Sequence, residues 1–256
     1  MKNIEVKRKL TNNELTIGTW LTISSPKIIE IISKSDFDWL CLDIEHNLFD
    51  NEKLVNLIRL IQSYGLAAFV RVSLNEPVII KHCMDAGADG LIIPMVNTKE
   101  DALKAIDSIH YPPIGNRGVG LSRAQDYGDG FEAYKSWLKN YAVIIVQIEH
   151  KLGIENLNDI IGLEHIDGAI IGPYDLSSSL GFPGEIKKDE VVDEIIKFKE
   201  ICFKSNFPCG VHLVKPDISE LESTISEGYS FIAYGTDFNF LKKGLELGYS
   251  SFKKLK

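Results

Sequence analysis

The sequence predicts an α/β fold in which eight parallel strands and their helices close into a (β/α)8 TIM barrel. Eight short apolar runs alternate along the chain with helical segments, as expected for repeated βα units. The length of 256 residues is typical of such barrels. A doubly wound sheet is the alternative, but no Gly-x-Gly-x-x-Gly motif follows the first strand, which weakens a dinucleotide-binding fold. Without a low-complexity segment or an obvious linker, we expect one barrel domain over residues 1–256.

The predicted strands are short apolar runs with turn residues on both sides. Continuous apolar runs are typical of parallel strands that are buried on both faces. The eight runs are residues 18–23, 39–45, 67–72, 91–96, 142–149, 167–173, 208–214 and 231–237. The second run ends in Asp43-Ile44-Glu45-His46, so it carries reactive groups to the end of a strand where parallel α/β proteins build active sites.

The segments between the strands carry helix signals. Pro26 stands where a first helical turn begins, and residues 98–101 resemble a capping box. Residues 51–63 show the i, i+3, i+4, i+7 spacing of one buried face at Leu54, Leu57, Ile58 and Ile61. The predicted helices cover 26–34, 51–63, 77–85, 99–108, 129–139, 153–161, 189–204, 216–226 and the residues from about 238. A long loop over 111–128 interrupts this rhythm, and loops of that length are often functional.

Composition excludes several classes of function. The formal net charge of -8 and the pI near 5.3 argue against nucleic acid or an anionic membrane as the main partner. The first residues lack the apolar core of a signal peptide, and no apolar run approaches the roughly 18 residues of a membrane span. The four cysteines lie far apart without Cys-x-x-Cys spacing. We therefore expect a cytoplasmic protein with reduced thiols.

Two polar groups lie at the ends of the second and third strands. His46 is the best acid–base candidate among six histidines, because Asp43 three residues earlier could orient its ring. Alone, it would more often be a histidine of a surface loop. Arg71 ends the third strand and supplies a fixed cation for a carboxylate, enolate or carbonyl oxygen. Its simpler interpretation is a salt bridge to a neighbouring acid.

Two acids follow the fifth and sixth strands. Gln147 and Glu149 share one strand face, and Asp175 follows Gly172-Pro173-Tyr174. Taken singly, Glu149 could be an exposed acid and Asp175 a helix N-cap. Together, two carboxylates from successive strand ends can hold a hard divalent cation and leave positions for water and substrate.

A covalent mechanism is not indicated. There is no Gly-x-Ser-x-Gly motif, and Lys215 adjoins Pro216, which favours a helix start over a Schiff base. His150 and His212 are further candidates for lining the pocket, without an assigned role. A metal, an arginine and a histidine suit proton abstraction or carbon–carbon chemistry beside a carbonyl.

These motifs resemble the HpcH/HpaI aldolase family, the metal-dependent class II pyruvate aldolases that include 4-hydroxy-2-oxo-heptanedioate and 2-keto-3-deoxy-sugar-acid aldolases. The resemblance extends from about residue 15 to 240 and is specific because the motifs occur in order. They are the segments 37–46, 70–72, 75–77, 94–96, 111–118, 147–149 and 171–177.

The resemblance implies a barrel of the phosphoenolpyruvate/pyruvate type in which Glu149 and Asp175 bind Mg²⁺, Mn²⁺ or Co²⁺. It implies that pyruvate is held by Gln147 and by the backbone of Gly172, Pro173 and Tyr174. Arg71 would stabilise the enolate oxygen. His46, supported by Asp43, would act with a water on the metal to move a proton to the acceptor oxygen. Glu45 would stand beside the metal without binding it.

The resemblance also implies partners. The substrates would be pyruvate and a small aldehyde, and the chain would form a homo-oligomer, a trimer or hexamer, in which the last helix is exchanged. Asp85 matches a position that approaches the site of an adjacent subunit. The chain departs from the family pattern at His150, Tyr174, 121–140 and 212–216, and these positions are expected at the aldehyde end.

Three interpretations follow. The first is a divalent-metal-dependent aldolase that reversibly cleaves a 4-hydroxy-2-oxoacid to pyruvate and an aldehyde. The second is another metal–enolate enzyme on the same scaffold, such as a 2-oxoacid decarboxylase or a phosphoenolpyruvate-type lyase. The third is a non-enzymatic binding protein on an inherited barrel, and the complete set of His46, Arg71, Glu149 and Asp175 argues against it.

Overall fold

Eight parallel strands form a closed barrel in chain order, which confirms the predicted fold class. The structure, a computed structural model, describes residues 2–253, with the side chains of residues 4–250 and 252. The strands are β1 Thr16–Leu21, β2 Trp39–Asp43, β3 Ala67–Arg71, β4 Gly90–Ile93, β5 Val143–Ile148, β6 Gly168–Ile171, β7 Cys209–Leu213 and β8 Phe231–Thr236. All eight predicted strands are present, and each ends one to three residues before its predicted C-terminal residue. β4 ends before Pro94, because proline has no N–H for the strand ladder.

Helices surround the barrel. They are α1 Lys2–Thr11, α2 Pro26–Ile32, α3 Asn51–Ser63, α4 Pro77–Asp85, α5 Lys99–Ile109, α6 Phe131–Tyr141, α7 Lys151–Glu155, α8 Leu157–Ile161, α9 Pro173–Ser179, α10 Asp189–Lys204, α11 Ile218–Ser226 and α12 Asp237–Lys253. Two of them, α1 and α9, were not predicted, and the predicted helix over 153–161 is divided into α7 and α8. Within the described chain, none of the helices is long and apolar enough to cross a membrane.

The barrel interior is apolar at its N-terminal end. Trp39 is fully buried and stacks between Phe69 and Phe231, with ring centroids 5.5 and 4.6 Å away. Gly18 faces this stack, and a Cβ atom there would lie 2.1 Å from the indole ring, so only glycine leaves room for the tryptophan. The large rings therefore fill the barrel as a packed core.

Helix α1 covers this end of the barrel. Its Val6 and Leu10 are buried among the interior rings. Lys7 Nζ lies 2.5 Å from Asp167 Oδ1, and Lys9 Nζ lies 2.7 Å from Asp38 Oδ1. The N-terminal end is thus closed, and a cavity can open only at the other end.

The interior becomes polar toward the C-terminal ends of the strands. The four odd-numbered strands each place one side chain in the layer that borders the cavity. These side chains are Trp20, Arg71, Gln147 and His212. Layers built from alternate strands are usual in this fold, but branched apolar residues dominate them, so three polar members mark this layer as a functional one.

Candidate active site

A cavity of about 260 Å³ opens at the C-terminal end of the barrel. Its volume suits a small-molecule substrate. Seven of the predicted site residues line it: His46, Arg71, Gln147, Gly172, Pro173, Tyr174 and Asp175. The same wall contains Trp20, which the sequence analysis missed, although the period of two along β1 puts it on the inward face.

Arg71 is fixed by two acids from β2 and the loop after it. Its Nε and Nη2 atoms each donate to one oxygen of Asp43 at 2.8 Å, and Nη1 lies 2.9 Å from Glu45 Oε2. The guanidinium also lies over the ring of Trp20, 4.2 Å from the centroid. This bidentate pairing holds the cation in one orientation while one edge borders the cavity.

The prediction that Asp43 orients His46 is wrong. Asp43 has both oxygens occupied by Arg71 and also accepts from Asn47 Nδ2 at 2.9 Å and from the Glu45 amide. The His46 ring instead lies beside Glu45, with Nε2 3.8 Å from Oε2. The reason is geometric: Asp43 is the last residue of β2 and points into the barrel, whereas His46 lies in the exposed loop that follows.

Glu149 is buried, with 3% exposure, so it is not the exposed acid of the simpler interpretation. Its Oε1 accepts from the amide of Met95 at 2.7 Å, and Oε2 accepts from Gln147 Nε2 at 2.5 Å. Met95 has a positive φ of 53°, a conformation that costs a non-glycine residue roughly 1–2 kcal/mol. The backbone thus aims an N–H at this carboxylate, which no sequence signal predicted.

Gly172 gives Glu149 its space. A Cβ atom at this position would lie 2.9 Å from the Glu149 Cβ and 3.2 Å from Oε2. Gly172 also caps α9, whose first turn contains Pro173 and Asp175. Asp175 is therefore not the N-cap residue but the third residue of the helix, and it is exposed toward the cavity.

Negative charge is concentrated around the cavity. Burial raises the pKa of Glu149 to about 7, and the charges of Glu45 and Asp175 act in the same direction. Burial likewise raises the pKa of Glu45 to about 7, against the effect of Arg71 and with that of Asp43 and Asp175. Four acids thus stand against one arginine, of which Asp43 and Glu45 contact it directly, so negative charge is in excess at the site.

The donor set fits a hard divalent cation. Among the described residues, Gln147 Oε1 is buried without a hydrogen-bond partner, and the buried Glu45 Oε2 has Arg71 Nη1 at 2.9 Å as its close contact, so oxygen lone pairs remain beside the acids. Buried oxygens of this kind call for a cation or a donor. Within residues 2–253, no three His, Cys, Asp or Glu side chains enclose a metal site by themselves. A cation held by Glu149 and Asp175 would therefore keep open positions for water or substrate.

Asp85 lies outside this cavity. It ends α4 and borders a separate surface groove with Leu121 and Tyr127. Gln125 Nε2 donates to its Oδ1 at 3.3 Å, and the buried Arg117 lies 3.6 Å from the same atom. The carboxylate is thus held at the surface, away from the residues that line this chain's own cavity.

The remaining candidates differ in position. His212 borders the cavity in β7 and stacks on Trp20. His150 caps α7, where its Nδ1 accepts from the Leu152 amide at 3.1 Å. Lys215 is exposed and borders a different surface pocket, so a Schiff-base role is not supported.

Comparison with known proteins gives close relatives over nearly the whole chain. A 5-keto-4-deoxy-D-glucarate aldolase from Salmonella arizonae is 34% identical over 249 residues, covering 97% of this chain and 96% of the relative. A crystal structure of a HpcH/HpaI aldolase/citrate lyase family protein from Burkholderia cenocepacia has a TM-score of 0.91 and 27% identity, covering 98% and 99% of the two chains.

A more distant structure shares the fold alone. It is the citrate lyase beta subunit from M. tuberculosis, complexed with oxaloacetate and magnesium, with a TM-score of 0.59 and 11% identity. It covers 90% of this chain and 95% of the other.

The family profile for HpcH/HpaI aldolase/citrate lyase matches residues 16–243. The prediction of an enzyme of the aldehyde-lyase class is confirmed by this match and by the aldolase relatives. This chain therefore belongs to the HpcH/HpaI aldolase/citrate lyase family.

Proposed function

We propose that this enzyme is a divalent-metal-dependent aldolase that reversibly cleaves a 4-hydroxy-2-oxoacid to pyruvate and an aldehyde. One observation carries the proposal: Arg71, with its fixed guanidinium, and Asp175 line one small cavity, and the carboxylate of Glu149 lies behind its wall, against Gln147 and Gly172. Positive charge close to the oxygen stabilises an enolate. Arg71 supplies one such charge, and a cation held by the two acids would supply a second.

Arg71 stabilises the oxygen on which negative charge develops. Asp43 fixes it through two hydrogen bonds at 2.8 Å, so it need not reorganise when the charge forms. Glu45 contacts its third nitrogen at 2.9 Å. Loss of one such oxyanion contact typically costs about 2.7–4 kcal/mol in other enzymes.

Glu149 and Asp175 are the proposed ligands of the cation, one of Mg²⁺, Mn²⁺ or Co²⁺. When bound, such a cation polarises the carbonyl of the 2-oxoacid and makes the adjacent carbon more acidic. Gln147 holds Glu149 through its amide nitrogen, and its free Oε1 faces the same region. Gly172, Pro173 and Tyr174 bound the space for the carboxylate end of the substrate.

His46 is the proposed proton carrier at the acceptor oxygen. It borders the cavity from the rim, where 62% of its side chain is exposed, so it can exchange protons with solvent. Glu45, not Asp43, is the acid that faces its ring. Asp43 is thus a positioning residue for Arg71.

The proposed substrate class is a 2-keto-3-deoxy sugar acid or a close analogue. The support is the 34% identity to 5-keto-4-deoxy-D-glucarate aldolase over 97% of the chain. Retro-aldol cleavage of such an acid breaks one carbon–carbon bond, moves the proton of the 4-hydroxyl to C3, and releases pyruvate with an aldehyde.

We also propose a cytoplasmic homo-oligomer, a trimer or hexamer, to which Asp85 contributes at an adjacent site. The four cysteines are buried and free, as expected in a reducing compartment. Helix α12 exposes Leu241 and Leu245, which lie one turn apart on the same helix face.

Deuterium exchange at the methyl group of pyruvate tests the enolate step. Wild-type protein is incubated with pyruvate in D₂O with Mg²⁺, Mn²⁺ or Co²⁺, or with EDTA, and incorporation is followed by mass spectrometry. We expect cation-dependent exchange that falls by about 100-fold or more in Glu149→Ala and in the isosteric Glu149→Gln. Circular dichroism checks that both variants are folded.

Absence of exchange with all three cations would contradict the enolate proposal, and undiminished exchange in EDTA would contradict the metal. Cleavage of 5-keto-4-deoxy-D-glucarate, with pyruvate measured by a coupled dehydrogenase, tests the substrate class. Release of carbon dioxide from oxaloacetate without any aldol cleavage would favour the decarboxylase interpretation.

A further inference from the structure

The long loop over residues 111–128 carries an arginine that has no part in the reaction described above. The side chain of Arg117 is fully buried, although it belongs to the connection between α5 and α6. Its guanidinium lies between two tyrosine rings, 4.4 Å from the centroid of Tyr111 and 5.4 Å from that of Tyr134. Burying a cation costs free energy unless polar partners surround it, so the partners of Arg117 indicate what it is for.

The partners of Arg117 are few. Nη2 donates to the hydroxyl of Tyr134 at 2.9 Å, whereas Nε and Nη1 have no hydrogen-bond partner among residues 2–253. Within that part of the chain, the one carboxylate within 4 Å of the guanidinium is that of Asp85, whose Oδ1 lies 3.6 Å from Nη1. Arg117 is thus a counter-charge for Asp85 that leaves Oδ1 free to accept from another donor.

Asp85 is held by several contacts at once. It is the last residue of α4, a place that disfavours an acid because the C-terminal end of a helix carries partial negative charge. The charge of Arg117 offsets this repulsion. The buried Gln125 donates to Asp85 Oδ1 at 3.3 Å and to the Tyr111 hydroxyl at 2.8 Å. The backbone of Gly120 is so close that a Cβ atom there would lie 3.1 Å from Oδ2. The carboxylate is therefore fixed in one place.

This fixed carboxylate remains available from outside. Asp85 borders a surface groove with Leu121 and Tyr127, and 16% of its side chain is exposed. Among the described residues, none donates a hydrogen bond to Oδ2. The groove wall contains two consecutive residues with positive φ, Asp126 at 48° and Tyr127 at 54°, a costly conformation outside glycine. An ordered loop around one accessible acid suits a residue that acts on a neighbouring molecule.

We propose that Arg117 is a positioning residue, which holds the Asp85 carboxylate at the groove so that it can act in the cavity of an adjacent subunit. This inference rests on the proposed function, in which Asp85 contributes to a neighbouring site. Arg117 contacts neither substrate nor cation and acts through Asp85. A chain with an altered Arg117 therefore impairs the site of its neighbour and leaves its own site intact.

Mixed oligomers test this directional effect. Glu149→Gln chains have a disabled cavity and an intact Asp85, and Asp85→Ala chains have the reverse. Both full-length chains are co-expressed with different affinity tags and purified through both tags. Activity with Mg²⁺ is measured as pyruvate released from 5-keto-4-deoxy-D-glucarate, or as pyruvate consumed with glyceraldehyde. We expect the mixture to exceed either variant alone by about ten-fold or more, because some sites then combine an intact Glu149 with an intact Asp85.

Arg117→Met is then added to one chain at a time. Methionine fills the space between the rings without a charge, and replacing a buried charge by an apolar group is often neutral for stability. On the Glu149→Gln chain, which supplies Asp85, we expect the recovered activity to fall by about 10- to 100-fold. On the Asp85→Ala chain, which supplies Glu149, we expect a change of less than about two-fold.

Two further variants control for structure. Arg117→Lys keeps a positive charge, so on the Glu149→Gln chain it should retain part of the recovered activity, and it replaces Arg117→Met if that variant does not assemble. Arg59→Met makes the same substitution on an exposed arginine of α3, and it should leave the recovery unchanged on either chain. Size-exclusion chromatography and circular dichroism check assembly and folding.

Each failure has its own signature. An equal loss from both placements would mean that Arg117 supports folding or assembly only, and it overturns the inference. Undiminished recovery with Arg117→Met on the Glu149→Gln chain overturns it as well. If the wild type is active but the mixture with intact Arg117 does not recover, Asp85 does not act across subunits and the inference fails. Absence of pyruvate exchange in the wild type refutes the proposed function, and this inference with it.

Discussion

Strand β3 carries Phe69 at one end of the barrel interior and Arg71, two residues further, at the other. Strand β2 likewise runs from Trp39 to Asp43. At the N-terminal end, the side chains are stacked aromatic rings without charge. At the C-terminal end, the same strands hold a guanidinium bonded to a carboxylate at 2.8 Å. Both ends are buried, but the ion pairs of the N-terminal end join α1 to residues just before β2 and β6, whereas the Arg71–Asp43 pair joins residues of β2 and β3 themselves.

The difference shows that one end of the barrel contributes mainly to folding stability and the other carries the groups of the candidate active site. Burying rings releases free energy, roughly 25 cal/mol for each Å² of apolar surface, whereas burying the carboxylates of Asp43 and Glu149 near one arginine costs free energy. The N-terminal core and helix α1 can offset that cost because they lie on the same strands. Substitutions at the two ends should therefore separate effects on stability from effects on activity.

The largest effect on stability is expected for Trp39→Ala. Trp39 is fully buried between two rings, and truncation of such a side chain costs about 3–5 kcal/mol in unfolding free energy. Urea denaturation measures the change, with Trp39→Phe as a milder control. If the folded variant also lost turnover as severely as a substitution at the cavity, the division between the two ends would be wrong.

The largest effect on activity is expected for Arg71→Ala. Removal of the guanidinium takes away the charge on the enolate oxygen and leaves Asp43 unpaired. We expect turnover to fall by roughly 100- to 1000-fold, since such contacts contribute about 2.7–4 kcal/mol. Cation binding should persist and can be followed by isothermal titration calorimetry. Turnover within a few-fold of wild type would remove Arg71 from the mechanism.

The charged end should also give the protein a pH-dependent stability. The pKa of Glu149 is raised on folding to about 7 from 4.5, so the folded state binds its proton more tightly than the unfolded state. Stability therefore falls as pH rises from about 4.5 to about 7, by up to about 3 kcal/mol for this group. Glu149→Gln should flatten the decrease.

A divalent cation should reverse this loss, because it competes with the proton for the same acids. We expect the rise in Tm on adding Mg²⁺ or Mn²⁺ to be larger at pH 8 than at pH 5, measured by differential scanning fluorimetry. A rise that was equal at both pH values, or equally large in Glu149→Gln, would speak against Glu149 as a ligand.

The smallest effect is expected for Lys9→Met at the N-terminal end. Lys9 pairs with Asp38 at 2.7 Å, but the pair is partly exposed, and such pairs contribute about 1 kcal/mol or less. Thermal unfolding should show a shift of a few degrees at most, and pyruvate exchange should remain at the wild-type rate. A clear loss of exchange would mean that α1 affects the cavity.

The sequence predicted the repeated elements well, because each strand and most helices carry a local signal. The apolar runs located all eight strands, and the spacing of Leu54, Leu57, Ile58 and Ile61 gave α3 with its bounds. Helix α1 was missed because, among its described side chains, Val6 and Leu10 are the buried apolar ones, and two apolar residues do not make a periodic pattern. Helix α9 was missed because its seven residues are mostly polar.

The candidate site was predicted less completely. Residues at strand ends, such as Arg71 and Asp175, could be located because the fold brings the C-terminal ends of its strands together. The partners of these residues could not. Asp43 and His46 are close in the sequence. In the structure, however, Asp43 accepts two hydrogen bonds from Arg71, because side chains that point into the barrel meet across neighbouring strands.

By itself, the sequence determined the (β/α)8 barrel, the family and the residue types at the cavity, because these follow from local periodicity and from motifs in fixed order. Only the tertiary structure decided the charge balance of the site: which acid holds Arg71, why Glu149 has a pKa near 7, and how Trp20 joins Arg71 to His212. Those properties depend on burial and on distances between strands, and neither is encoded in the spacing of residues along one strand.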